Sequence, residues 1–127
     1  MKARDRSQDG QATVELALLL PLLVVLGLVL VEVGSLASDR VRVWHAAREA
    51  ARVAVVDDDP SAIQDAAEHS GLVGITVQVD PPPGDRIQGE PLTVDVTYPV
   101  EPRVPVIGQI FSGVVFEASA TMMIEQP

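Results

Sequence analysis

Few residues in this chain have the type and spacing that chemistry needs. Glu15 is the one that stands out. It lies five positions after Gly10, in GQATVELALLLPLL, and directly before sixteen residues (16–31) with no charged or hydrogen-bonding side chain. A carboxylate at the edge of such a run is costly unless it snorkels, takes a proton or finds a cation. On position alone, two readings stand level. One is a first-turn Glu favoured by the helix macrodipole and reaching toward headgroups. The other is a charge kept for a partner.

The remaining candidates are weaker. His45 and His69 fall on different predicted helices, with no HExxH pair, no His/Asp/Glu cluster and no glycine-rich phosphate loop. His45 reads as a helix-surface residue and His69 as a last-turn residue near a helix C-terminus. Ser112-Gly113 is not set in a G-x-S-x-G elbow. Asp57, Asp58 and Asp59 lack the alternate spacing and distal Glu of a calcium loop, so capping and solvation explain them better. Cysteine is absent, which excludes disulfides and thiolate metal sites. The expectation is a non-enzymatic protein with no cofactor and no metal.

Charge narrows the partners. The net charge is −9, unevenly spread over 127 residues. Residues 1–56 carry seven basic and six acidic side chains, whereas residues 57–127 carry two basic (Arg86, Arg103) and twelve acidic. An acidic distal segment argues against nucleic acid, whose phosphates it would repel. It argues equally against lying flat on an anionic lipid surface.

The elements that would position these residues follow from the pattern. Residues 1–10 form a short leader with Lys2, Arg4 and Arg6 against Asp5 and Asp9. Basic residues before an apolar run favour retention on the cytoplasmic side. Residues 16–31 span roughly 24 Å as a helix, and residues 12–33 roughly 33 Å, enough to cross a bilayer core. The thirteen Leu and Val side chains of the run contribute about 4 to 8 kcal/mol to insertion. Pro21 and Gly27 are tolerated in such helices. Glu32, Gly34, Ser35, Ala37, Ser38 and Asp39 then bring the chain out to water.

Beyond them Val43, Ala47, Ala50 or Ala51, and Ala54 recur at three- and four-residue steps, predicting one long helix from about residue 12 to about residue 56. It is apolar all round in its first half and amphipathic in its second. Trp44 is expected to pack against the distal domain, and Glu49 to pair with Arg52. Asp59-Pro60 has the form of an N-cap and first helical residue, opening a second helix over 61–70 with Gly71 as its stop. Ile75, Val77 and Val79 alternate with polar residues, as do Leu92, Val94, Val96, Tyr98 and Val100, which suits an antiparallel hairpin. Residues 81–91 form a turn-rich connection with no core pattern. Residues 101–113 read as a buried loop or one short helix lying under the sheet, and 116–124 as a third strand.

The fold class is therefore α+β. A long N-terminal transmembrane helix continues as a spine, packed by a short helix and a small antiparallel sheet of about three strands. The divisions are a basic leader (1–10), a transmembrane helix (11–33), an extracytoplasmic amphipathic extension (34–56) and an acidic α+β domain (57–127).

The leader, Gly10, Gln-Ala-Thr-Val, Glu15 and the apolar helix together resemble the class III signal of type IV pilin-like proteins. With AAREAAR (46–52), LTVDVTYPV (92–100) and FEASATMMIE (116–125), the chain resembles the TadE-like family of minor pilins, or pseudopilins, of the Tad (Flp, type IVc) pilus system. The resemblance implies a type IV pilin-like fold and a role in pilus assembly or adhesion. Prepilin peptidase would cut after Gly10 and make Gln11 the new N-terminus. Glu15 would become the fifth mature residue, the acidic position associated with processing and assembly. The implied partners are other pilins and pseudopilins through the N-terminal helix, prepilin peptidase and the Tad assembly platform. The implied location is the inner membrane, N-terminus cytoplasmic and C-terminal domain outside, with incorporation into extracellular pili. The family often has an aromatic residue straight after the Glu; Leu16 departs from that.

Two other readings compete. Ser35-Leu36-Ala37 has the form of a small-residue signal-peptide site, which would make Ser38 the mature N-terminus. The alternative is a permanent single-pass membrane protein whose extracytoplasmic domain is a scaffold or binds a ligand. It predicts no cut at Gly10.

Overall fold

The computed structural model describes residues 6–125, with side chains from residue 10 onward. Of the leader expected at 1–10, residues 1–5 and the side chains of Arg6 and Asp9 lie outside what is described. The elements are α1 (Arg6–Ala54), α2 (Pro60–Glu68), β1 (Thr76–Asp80), β2 (Pro91–Pro99), a short 3-10 helix (Gly108–Phe111) and β3 (Val115–Met123). The architecture is the α+β arrangement read from the sequence: a long helical spine, a short helix and a three-stranded antiparallel sheet of order β1-β2-β3.

The helix α1 runs for 49 residues without interruption, through Pro21. Two halves of different character make it up. Its first half contains a window of mean hydropathy 2.9, long and apolar enough to cross a membrane, and none of that window is buried inside the protein. Its second half buries Val43, Ala46, Ala47, Ala50, Ala51 and Ala54. These recur at the three- and four-residue steps of one helical face. Alanine along that face lets the sheet approach closely.

The sheet supplies the other wall. In β2 the side chains alternate strictly, with Leu92, Val94, Val96 and Tyr98 buried against the spine. β2 is central, so both its edges are paired: Val79 faces Val94 on one side, and Ala118 faces Val96 on the other. Ile63 and Ala67 of α2, with Leu72, Ile75 and Ile124, close the core.

Local signals behave as their chemistry dictates. Asp59 caps α2 by accepting the Ser61 N–H at 2.9 Å, and Pro60 occupies the first turn. Asp57 in turn accepts the Asp59 N–H at 2.9 Å, so the aspartate run works as capping. Gly71 holds φ +80 just past the helix, where a Cβ would be strained. Glu49 and Arg52 pair at 3.9 Å, both well exposed.

Two expectations are corrected. Trp44 does not pack against the distal domain; it is 45% exposed, on the outer side of α1 with Val41, Arg48 and Arg52. At 100° per residue it lies one step past the buried Val43, off the stripe that faces the sheet. The 101–113 segment does form a short helix, but it does not lie buried under the sheet. Val106 and Ile110 are exposed, and Gly108 is its only fully buried residue. Polar anchors hold this segment to α1, as described next.

Candidate functional site

The three residues singled out at the N-terminus lie together on the first turns of α1. Gly10, Gln11 and Glu15 are all exposed. The Gln11 side-chain amide donates to Glu15 Oε1 at 3.2 Å, an i,i+4 contact on one helix face. The helix passes through the Gly10–Gln11 bond, so any protease acting there needs the first turns to unwind. An amine created at Gln11 would sit one helical turn from Glu15. The surroundings of a Cβ at Gly10 are open, so close packing does not explain this glycine.

A second group, unforeseen in the sequence, lies where the apolar run ends. Glu32 and Asp39 do not bring the chain out to water: Glu32 is 0% and Asp39 1% exposed. They fall on the same stripe of α1 as Val43, Ala46 and Ala50, at seven-, four- and three-residue steps. Glu32 grips the backbone of the 101–113 segment. Its Oε2 accepts the Val104 N–H at 2.9 Å and its Oε1 the Arg103 N–H at 3.3 Å. Asp39 accepts the Arg103 guanidinium at 2.9 Å, with Asp39 buried and Arg103 about half exposed. Ser35 donates its hydroxyl back to the Glu32 carbonyl at 2.8 Å.

These contacts satisfy buried anions that would otherwise be expensive. The phenol of Tyr98 feels them too. Burial first, and then the negative charges of Asp39 and Glu101, hold its hydroxyl above its ordinary pKa.

The third group sits at the opposite end of the spine. Arg86, in the connection that showed no core pattern, is 7% exposed. Its Nη1 donates to Ala54 O at 2.9 Å and to Asp57 O at 3.3 Å, and its Nε to Pro81 O at 3.4 Å. A guanidinium at the last carbonyls of α1 is favoured by the macrodipole and fills acceptors the helix end leaves open. Arg86 also borders a cavity of about 250 Å³ lined by Ile63, Val77 and Val79.

Both arginines of the acidic distal segment thus hold that segment to α1. A lone cation among many carboxylates was the signal that could have found them. The histidines stay peripheral: His45 and His69 are exposed, and His69 Nδ1 lies 2.6 Å from Asp65 O in its own helix. Among the described residues, no group of three or more His, Asp or Glu side chains is placed to hold a metal ion.

What this arrangement can do is mechanical. It presents a long apolar rod, fixes a small domain rigidly to the rod's distal half, and leaves one carboxylate near the rod's start. Comparison with known proteins bears on that rod. The model of the family described as TadE-like protein matches residues 10–52, from Gly10 to the last turn of α1. This is the family that the opening motif resembles. No curated protein and no solved structure matches the chain.

Proposed function

We propose, from the TadE-like match over residues 10–52, that this chain is a minor pilin or pseudopilin of a Tad (type IVc) pilus and takes part in pilus assembly or adhesion. The observation that carries the reading is the apolar half of α1, which buries nothing within its own domain: Leu16, Leu18, Leu22 and Leu30 are each more than 60% exposed. Such a surface needs lipid or other apolar helices. A bilayer supplies the first before assembly, and a filament core of similar helices the second. Prepilin peptidase cuts after Gly10, and the amine of Gln11 pairs with the Glu15 of an adjacent subunit. Two opposite charges in an apolar bundle cost much less paired than apart, so the pair sets register. The N-terminus begins in the cytoplasm, and the acidic domain lies outside the inner membrane.

The continuous helix across the Gly10–Gln11 bond favours one further reading, a permanent single-pass protein whose outer domain is a scaffold or binds a ligand. Peptide mapping of the N-terminus in cells with and without prepilin peptidase separates the two. Pilin-type processing yields Gln11 as the first residue only where the peptidase is present. The same N-terminus in both strains, uncut or at Ser38, overturns the pilin reading.

A further inference from the structure

The geometry points to a second membrane-contacting element, the uncharged loop of residues 104–115, which docks shallowly into the outer lipid interface beside α1. This rests on the membrane-inserted reading of residues 16–31.

Three contacts fix the height of the loop along the spine. Glu125 N–H donates to Val55 O at 3.1 Å at the far end. The Arg40 guanidinium stands 5.7 Å from the centre of the Phe116 ring. Val104 N–H reaches Glu32 at 2.9 Å. At 1.5 Å per residue, Glu32 lies roughly 34 Å from Val55 and roughly 12 Å from Arg40 along the axis. The sheet therefore runs down the helix toward the membrane, and the β2–β3 connection is its lowest point. Glu32 itself directly follows the apolar run.

The composition of that connection is unlike the rest of the domain. From Val104 to Phe116 there is no charged residue, in a segment that otherwise carries twelve carboxylates. Val106, Ile110 and Val115 are 76%, 79% and 50% exposed. Val106 holds φ 73, a backbone conformation that a β-branched residue avoids. An exposed apolar patch continuous with a membrane-spanning helix fits one surface, the lipid–water interface. Depth is limited by the backbone. A 3-10 turn with irregular flanks leaves N–H and C=O groups that need water or headgroups, so the loop cannot enter the hydrocarbon core. The domain's negative charge removes attraction to anionic lipid, so the contact is apolar and works on a zwitterionic surface. The consequence is a two-point attachment that fixes the tilt of α1 and the orientation of the domain above the membrane.

The absence of cysteine makes a direct test available. Single variants Val106→Cys, Ile110→Cys, Val73→Cys and Leu20→Cys of the full chain carry an environment-sensitive fluorophore. Each is reconstituted at low density in phosphatidylcholine vesicles. Quenching is read with aqueous iodide and with lipids bearing a nitroxide near the headgroup. Val73, 87% exposed in the α2–β1 connection, serves as the aqueous reference. Labels at 106 and 110 are expected to be about threefold less sensitive to iodide than that at 73, and to be quenched by the nitroxide lipid. Labels at both positions as open to iodide as Val73 overturn the proposal. So does protection that rises with protein density and is insensitive to the nitroxide, which would assign the loop to a neighbouring subunit. The Leu20 label reports on the underlying reading. If it is shielded from iodide while 106 and 110 are open, only the loop proposal fails. If Leu20 is itself open to iodide, the membrane-inserted reading fails and takes the proposal with it.

Discussion

The carboxylate of Glu32 accepts the backbone N–H of Val104 at 2.9 Å across 72 positions of sequence. With the Arg103 N–H on its other oxygen, it closes the small domain onto the spine where the apolar run ends. Glu32→Ala removes the acceptor from two part-buried backbone donors, and a cost of about 1 kcal/mol is expected. Glu32→Gln retains one acceptor oxygen and costs less. Amide hydrogen exchange in detergent micelles reads this directly. Arg103 and Val104 should lose protection in Glu32→Ala while the β2 amides keep theirs. Unchanged exchange at both amides would mean that the carboxylate is not their acceptor.

The Asp39–Arg103 pair joins a buried anion to a cation that is about half exposed. Solvent therefore screens one side of it. A double-mutant cycle with Asp39→Ala and Arg103→Met should return a coupling of about 1 kcal/mol that weakens as salt is added. Asp39→Ala alone should also let the Tyr98 hydroxyl ionise at lower pH, because a neighbouring negative charge is gone. An ultraviolet titration of the phenolate follows that shift.

Arg86 ties the end of α1 to the connection between β1 and β2. Arg86→Met preserves the stem but strips donors from Ala54 O and Asp57 O. The expected loss is about 2 kcal/mol in the unfolding of the distal domain, read as a lower urea midpoint with unchanged slope. A variant as stable as the parent would show that water replaces the guanidinium at no cost.

Asp59 carries a pH dependence whose sign can be worked out. Its carboxyl is held below the ordinary 3.8, first by the Ser61 backbone N–H and then by the Ser61 hydroxyl. The unfolded chain therefore takes up the proton first. The stabilisation is complete above the unfolded value and is lost as pH falls through the folded one. Asp59→Asn keeps the cap without the charge. The melting-temperature difference between parent and variant should be constant from neutral pH down to about pH 5 and shrink below 3.8.

The proposed pilin function makes Glu15 an assembly residue, and that proposal is read in the filament. Glu15→Gln and Glu15→Ala should insert into the membrane normally and be depleted from sheared pili, because the amine at Gln11 loses its partner in the neighbour. Incorporation equal to the parent would rule out the charge pair as the source of register.

Much of the fold was legible because it follows from short-range periodicity. The apolar run, the alanine face from Val43 to Ala54, the Asp59-Pro60 cap and the alternating strands each obey a local rule of helix, cap or pleat. That logic also explains the errors. Trp44 was expected to pack against the distal domain, yet the helical turn places it on the exposed side of α1. Residues 101–113 were read as a buried loop or one short helix under the sheet; the short helix is there, but polar groups on α1 hold the segment and much of it is exposed.

By itself, the sequence determined that the chain has a membrane-length helix, an acidic α+β domain, and one carboxylate five residues past Gly10. Periodicity and hydropathy are properties of neighbours along the chain, and neighbours suffice for those conclusions. Only the tertiary structure decided that Glu32 and Asp39 face inward, that Arg86 and Arg103 are the cations that fasten the domain to the spine, and that the 104–115 loop starts beside the end of the apolar run. Each of those contacts joins residues distant in sequence. Whether a charge is buried depends on what stands across from it, and for Glu32 that is a backbone 72 residues away.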